Sequence, residues 1–298
     1  MAQVFCTSTS RRQFIQRSLS AIGALSVLGV GRVIAKPNGK EAHLAFLSDT
    51  HIPKDVTNNY RGFSPYQNLQ KVVPLVQSSS PEGVIISGDL ARLEGKPGDY
   101  SNLKTLLSPL AQNTPIYMGL GNHDDRKNFS TAFSPFATKE QPVKDKHVLV
   151  LRHGPVRLII LDSLLYTNRV AGLLGKAQRL WLKDYLQRSD DTPTLLVVHH
   201  TLSDGDDALL DVDKLFDMIT LQRKVKGIIY GHSHKYHYDV IDGLHLVNVP
   251  AVGYNFNDDE PVGWLDARLY RDGADMTLHT VGGNAAQDGI TTHLQWRI

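Results

Sequence analysis

Five short groups of polar residues each follow a short apolar run in this chain. They are Asp49-Thr50-His51, Gly88-Asp89, Gly121-Asn122-His123-Asp124, His199-His200 and Gly231-His232-Ser233-His234. Asp, His and Asn side chains are the nitrogen and oxygen donors that hold transition-metal ions. Those at 49, 51, 89, 122, 199, 232 and 234 suffice for two ions. A lone Gly-Asp carries no weight, since it arises by chance in most chains of 298 residues; the signal is the ordered set. The single cysteine is Cys6, so the chain beyond it has no disulfide and no thiolate ligand, and any metal there takes N and O donors.

The elements that must position these residues follow from the apolar patterning. His43–Leu47, Val84–Ser87, Ile116–Met118, Leu195–Val198 and Ile228–Tyr230 lead into the five groups and read as buried strands. Helical spacing covers 66–77, 99–110 with Asp99 as the cap, and 175–187 with Leu180, Leu182, Tyr185 and Leu186 on the apolar side. Hairpins are expected at 148–161, at 238–249 through Asp242-Gly243, and at 263–280. Nothing after Gly282 suggests an element. Strands alternating with helices define an α/β fold. In such folds ligands bind beyond the carboxyl ends of the strands, so five polar strand ends would converge on one edge.

The set resembles the calcineurin-like metallophosphoesterases, along essentially the whole chain after the first 35 residues. The resemblance implies a two-sheet β-sandwich flanked by helices and two metal ions. Asp49, His51 and His234 would hold the first, and Asn122, His199 and His232 the second, with Asp89 bridging. It further implies attack of a metal-bound hydroxide on a phosphoester, with His123 on the phosphate and leaving group and Asp124 orienting His123. Arg126 and His200 are candidate substrate contacts, although the family's usual His-His-Pro-Pro reads His199-His200-Thr201-Leu202 here. Mixed N/O donors suit Fe, Mn, Zn or Co. Purple acid phosphatases carry a tyrosine where this chain has Arg92, and a glycine where it has His51. The Asp-x-His start and the Gly-Asn-His-Asp-Asp-Arg group look closer to the cyclic nucleotide and glycerophosphodiester phosphodiesterases. Leu161-Asp162-Ser163 and Gln178-x-x-Trp181-Leu182 add to that likeness.

Ser10-Arg11-Arg12-Gln13-Phe14-Ile15-Gln16 and the weakly apolar stretch after it read as a twin-arginine signal over residues 1–35, with cleavage after Ala35. The expected partners are the twin-arginine export machinery and a small phosphoester, and the expected location is the periplasm, with a retained signal anchor as the alternative. Residues 36–298 would form one domain. Arg11, Arg12, Arg17 and Arg32 are the only charges in the signal, so the net charge of +2 becomes −2 without it. That balance offers no track for a nucleic acid. Selectivity is expected from the loops at 53–65, 203–207 and 253–260. Phosphodiester hydrolysis is the leading function; a phosphomonoesterase or a metal-binding protein without turnover would carry the same residues.

Overall fold

The computed structural model describes residues 41–133 and 141–298; the expected signal and its cleavage site lie outside them. Two six-stranded sheets carry the fold. In the first, β1 (Ala42–Leu47), β2 (Gly83–Ile86) and β3 (Ile116–Met118) are parallel neighbours. Three antiparallel strands, β10 (Pro261–Leu269), β11 (Gly273–Gly283) and β12 (Thr291–Gln295), extend it beyond β1. In the second, β5 (Val156–Ile160), β6 (Thr194–Val197), β7 (Val225–Tyr230) and β9 (Leu244–Asn248) are parallel. The antiparallel strands β4 (Leu149–His153) and β8 (His237–Ile241) close its two edges.

The alternation of side chains along each strand divides the core into three layers. Leu44, Phe46, Ile85, Leu158, Ile160 and Val197 point into the space between the sheets. Their neighbours Ala45, Leu47, Val84 and Ile86 face α1 (Pro65–Ser79) and α2 (Pro97–Ala111) instead, with Phe129 of the short α3 (Arg126–Ala132) in the same layer. Ile159, Leu196 and Ile228 face α4 (Gly175–Arg188) and α5 (Val212–Ile219) on the other side. Strands covered on both faces must be apolar at every position, which is why they appear as continuous runs. The expected two-sheet sandwich flanked by helices is the fold observed.

Three local expectations need correction. Asp99 lies inside the first turn of α2, where its carboxylate accepts from the backbone N–H of Lys96 (3.1 Å) and of Lys54 (2.6 Å). It ties the loop after β1 to the helix as well as capping it. The segment after Gly282 is ordered: β12 pairs with β11, and Leu294 and Trp296 enter the inter-sheet core. Its alternation is too short to read in isolation, because the partner strand supplies its register. Along α4 the buried line is Gln178, Leu182 and Leu186, and Leu180 is 55% exposed.

That last difference gives a test. Leu182→Ala should lower unfolding free energy by about 2–5 kcal/mol, and Leu180→Ala by no more than about 0.5 kcal/mol, both read from urea unfolding curves.

Candidate metal centre

The five polar groups leave the carboxyl ends of β1, β2, β3, β6 and β7 and meet at one edge of the sandwich. The β1–β2 ladder runs on through two of them: the backbone N–H of Asp49 donates to Gly88 O, that of His51 to Asp89 O and that of Ile52 to Leu90 O, at 2.9–3.0 Å. The second sheet does the same, with Gly231 N donating to His199 O at 3.0 Å. A loop closed this tightly forces unusual backbone angles. Asp49, His51, Asp89, His232 and His234 all adopt positive φ, between 47° and 70°. Left-handed backbone is uncommon outside glycine and is kept where the surroundings determine it, most often at functional sites.

Asp49 and Asp89 are both buried, and their hydrogen bonding is alike. One oxygen of each is tied down and the other is offered to histidines. Asp49 Oδ2 accepts from His232 N (3.0 Å) and from Ser48 Oγ. Asp49 Oδ1 has no hydrogen-bond partner and lies 3.3 Å from His234 Nε2 and 3.8 Å from His51 Nε2 and His199 Nε2. Asp89 Oδ1 accepts from His123 N (2.8 Å), and Oδ2 lies 3.3 Å from His199 Nε2 and 3.7 Å from His51 Nε2.

The histidines are oriented by backbone carbonyls. His51 Nδ1 meets Arg92 O (3.3 Å), and His234 Nδ1 meets Tyr254 O (2.6 Å). A carbonyl only accepts, so both Nδ1 atoms carry the proton and both Nε2 atoms present lone pairs. Those two lone pairs face each other at 3.0 Å. Two acceptors that close repel, unless a cation or a proton lies between them. His232 is turned the other way, with Nε2 on Asp207 O (2.9 Å), which leaves Nδ1 for a ligand. Both ring nitrogens of buried His199 and Oδ1 of buried Asn122 lack a hydrogen-bond partner. Orphaned buried polar atoms are costly, and here they cluster where metal ligands are expected. Ligand atoms lie within 4.8 Å of one another in three sets: Asp49, His51 and His234; Asp89, His199 and His232; and His51, Asp89 and His123. The residues therefore fit a centre of N/O-bound cations, and Asp89 belongs to two of the sets.

Electrostatics reinforces the cluster. Burial opposes ionisation of Asp49 and Asp89, yet the adjacent histidines, His199 first, hold both carboxyls below their usual range. Burial pulls His51 down to about 3, whereas Asp89 and Asp49 outweigh burial at His199 and raise it to about 9.

Three candidate roles change. The Asp124 carboxylate does not touch the His123 ring. It accepts from Gly121 N (2.9 Å), Leu90 N (3.2 Å), Ala91 N (3.2 Å) and Tyr100 Oη (3.0 Å), joining the loops after β2 and β3 to α2. Leu93 O, 2.9 Å from Nδ1, orients His123 instead. Arg126 forms a two-pronged ion pair with buried Asp162, at 2.7 Å for each contact, which holds its guanidinium outside the cleft lining. His200 is fully buried, with Nδ1 2.7 Å from Ser163 Oγ and its ring against those of His199 and His232. The other seven histidines stay out of the cleft, among them His43 on Asp266, His147 on Met118 O and His245 on Gln295 O. Arg92, in the place of the purple acid phosphatase tyrosine, packs over the rings of Tyr60 and Tyr254 at 4.7 and 5.4 Å.

The cluster forms the floor of an open cleft of about 560 Å³. Two of the three expected selectivity loops reach it, through Ser203 and Asp207 and through Tyr254 and Phe256; the 53–65 loop contributes no wall. Polar ligands on strand ends between two helix-flanked sheets, below an open cleft, define a metal-dependent hydrolase. The chain belongs to the calcineurin-like phosphoesterase family, which residues 42–236 match. It is 27% identical over 248 residues to the 3′,5′-cyclic adenosine monophosphate phosphodiesterase of Haemophilus influenzae, covering 78% of this chain and 86% of that one. A protein of Arcobacter nitrofigilis named "probable glycerophosphodiester phosphodiesterase" is 26% identical over 199 residues, covering 63% of this chain and 70% of the relative. Among solved structures, a dimetal phosphatase from Danio rerio superposes with a TM-score of 0.66 at 14% identity, covering 86% of this chain and 99% of that one.

Two tests follow. A Cβ on Gly121 would lie 2.2 Å from Asp89 Oδ1 and 2.7 Å from His199 Cδ2. Gly121→Ala should therefore weaken metal affinity about 10–100-fold, with far-UV circular dichroism unchanged. The second concerns pH. Because the folded value of His199 is raised from 6.5 to about 9, its stabilising charge in metal-free protein is complete below about pH 6.5 and lost as pH rises through about 9. A metal ion must displace that proton, so affinity should rise about tenfold per pH unit up to about pH 9. Calorimetry in buffers of different ionisation enthalpy should register the released proton.

Proposed function

We propose that this chain is a two-metal phosphoesterase acting on phosphodiesters. The carrying observation is that the Asp89 carboxylate belongs to two ligand sets on the floor of one open cleft. Asp49, His51 and His234 would hold one ion and Asn122, His199 and His232 the other, with Asp89 between them. Such a pair supplies Lewis acidity for the phosphoryl oxygens and an acidified water as the nucleophile. The residues of the chain do the rest. Backbone carbonyls fix the tautomers of His51 and His234, so their lone pairs are set before any ion arrives. His123 lines the cleft with its backbone held by Asp89 Oδ1 and Nδ1 held by Leu93 O. As imidazolium it can protonate a departing alkoxide from Nε2 while keeping its bond to Leu93 O.

The relatives support diesters over monoesters. Two similar proteins bear phosphodiesterase names, and the cleft above the cluster is open, with a volume of about 560 Å³. Export through the twin-arginine route is also proposed. It rests on the 10–16 pattern. Replacing Arg11 and Arg12 by Lys should leave precursor in the cytoplasm; unchanged periplasmic delivery would sink that reading.

Metal-stripped protein reloaded with Mn, Zn, Fe or Co should cleave bis(p-nitrophenyl) phosphate faster than p-nitrophenyl phosphate. The opposite order would make it a monoesterase, and bound metal without turnover a binding protein. His123→Ala should retain its metal while losing about 10²–10⁴-fold in kcat on an ester with an alkyl leaving group; full activity there would remove His123 from the mechanism.

A further inference from the structure

Between β5 and α4 the chain makes an excursion, 164–173, whose two ends are brought together by one side chain. Lys146 is largely buried, and its ammonium donates to the carbonyls of Asp162 (3.1 Å), Leu164 (3.2 Å) and Leu173 (2.9 Å). An ammonium has three donors, so every one of them goes to backbone. Asp162 Oδ1, 3.8 Å away, supplies the opposite charge. Leu173 N donates to Ser163 O at 2.8 Å, which closes the neck a second time. Compact loops closed in this way are often functional.

The closed loop reaches the metal cluster from three directions. Asn168 N donates to Asn122 O (2.6 Å), and Thr167 Oγ1 donates to Asp124 O (2.9 Å). Gly172 N donates to Ala208 O (3.0 Å) and Gly172 O accepts from Leu210 N (2.9 Å), on the segment whose Asp207 O holds His232 Nε2. Gly172 also lies so close to His200 that a Cβ there would be 2.3 Å from its Cγ. The His200 ring centroid in turn lies 5.1 Å from that of His199 and 4.8 Å from that of His232. Each of the three ligands assigned to the second ion alone, Asn122, His199 and His232, thus has this loop behind it. Asp49, His51 and His234 share no hydrogen bond with it among the described residues.

We propose that Lys146 is a positioning residue for the second ion only: by locking the neck of the 164–173 loop it keeps Asn122, His199 and His232 in their mutual arrangement. Lys146 is absent from the cleft lining, so its effect must pass through the loop. The inference rests on the two-ion reading of the centre and deepens it, adding an element that none of the five polar groups contains.

The test is calorimetric titration of Mn into metal-stripped protein, with no ester present. Lys146→Met keeps a long unbranched side chain and removes all three donors. It is made in two backgrounds, His234→Ala, which leaves the second ion's ligands whole, and Asn122→Ala, which leaves the first ion's. In the first background Lys146→Met should weaken Mn binding about tenfold, and in the second by less than about twofold. Equal weakening in both would overturn the inference, because Lys146 would then only support the fold; so would no change in either. Thr167→Val removes a single hydroxyl of the same loop and covers the case in which Lys146→Met fails to fold. It should weaken the second site about threefold and leave the first alone, and unchanged affinity at both sites would overturn the proposal. A wild type that takes up one ion would defeat the two-ion reading and this inference with it. Two ions in the wild type and one in each background keep that reading, whatever Lys146→Met does.

Discussion

Two carboxylates, Asp49 and Asp89, lie in the interior less than 4 Å from shared histidines, and Asp49 Oδ1 has no hydrogen-bond partner. Buried charge is tolerated only when it is paired and hydrogen-bonded or bound to metal. The architecture of the edge is arranged around that requirement. Backbone N–H groups of His232 and His123 satisfy the oxygens that face protein. Carbonyls of Arg92, Tyr254 and Asp207 settle which nitrogen of each histidine is bare. Glycine at 121 is demanded by the same crowding, since any side chain there would strike Asp89 and His199.

The sandwich supplies the rigidity on which this depends. Parallel strands end at the same level, so their continuations arrive together, and ladder hydrogen bonds that persist past the strand ends hold the left-handed turns in place. Asp124 adds a brace of another kind. Its four accepted hydrogen bonds join two loops and a helix. Burial and the charge of Asp89 nevertheless push its carboxyl up to about 7, so it lies at the limit of what those bonds can keep ionised.

Much of this was legible in the sequence. Each ligand group follows an apolar run long enough to read as a buried strand, and the order of the groups points to one shared edge. Leu161-Asp162-Ser163 and Gln178, both part of the family likeness, are in contact: Gln178 Oε1 accepts from Asp162 N at 2.9 Å. Three residues make contacts that the sequence did not announce. Asp124, Arg126 and His200 lie beside the site in sequence, but their side chains turn to partners far along the chain, Tyr100, Asp162 and Ser163. Carbonyls that orient imidazoles have no residue type at all, so no sequence pattern could reveal Leu93 or Arg92 in that capacity. The β12 strand was invisible because its pairing, not its composition, makes it a strand.

The ligand cluster straddles two sheets: Asp49, His51, Asp89 and Asn122 come from the first, and His199, His232 and His234 from the second. Asp49 and His232, 183 positions apart, touch directly. Neither sheet alone can assemble either of the proposed sites, so a cation can be captured only once the sheets have docked. A bound cation would then act as a clasp across the sandwich, opposing separation of the sheets by the free energy of its own binding. Metal occupancy in a preparation of this protein would accordingly set a lower bound on the fraction of molecules whose two sheets have docked.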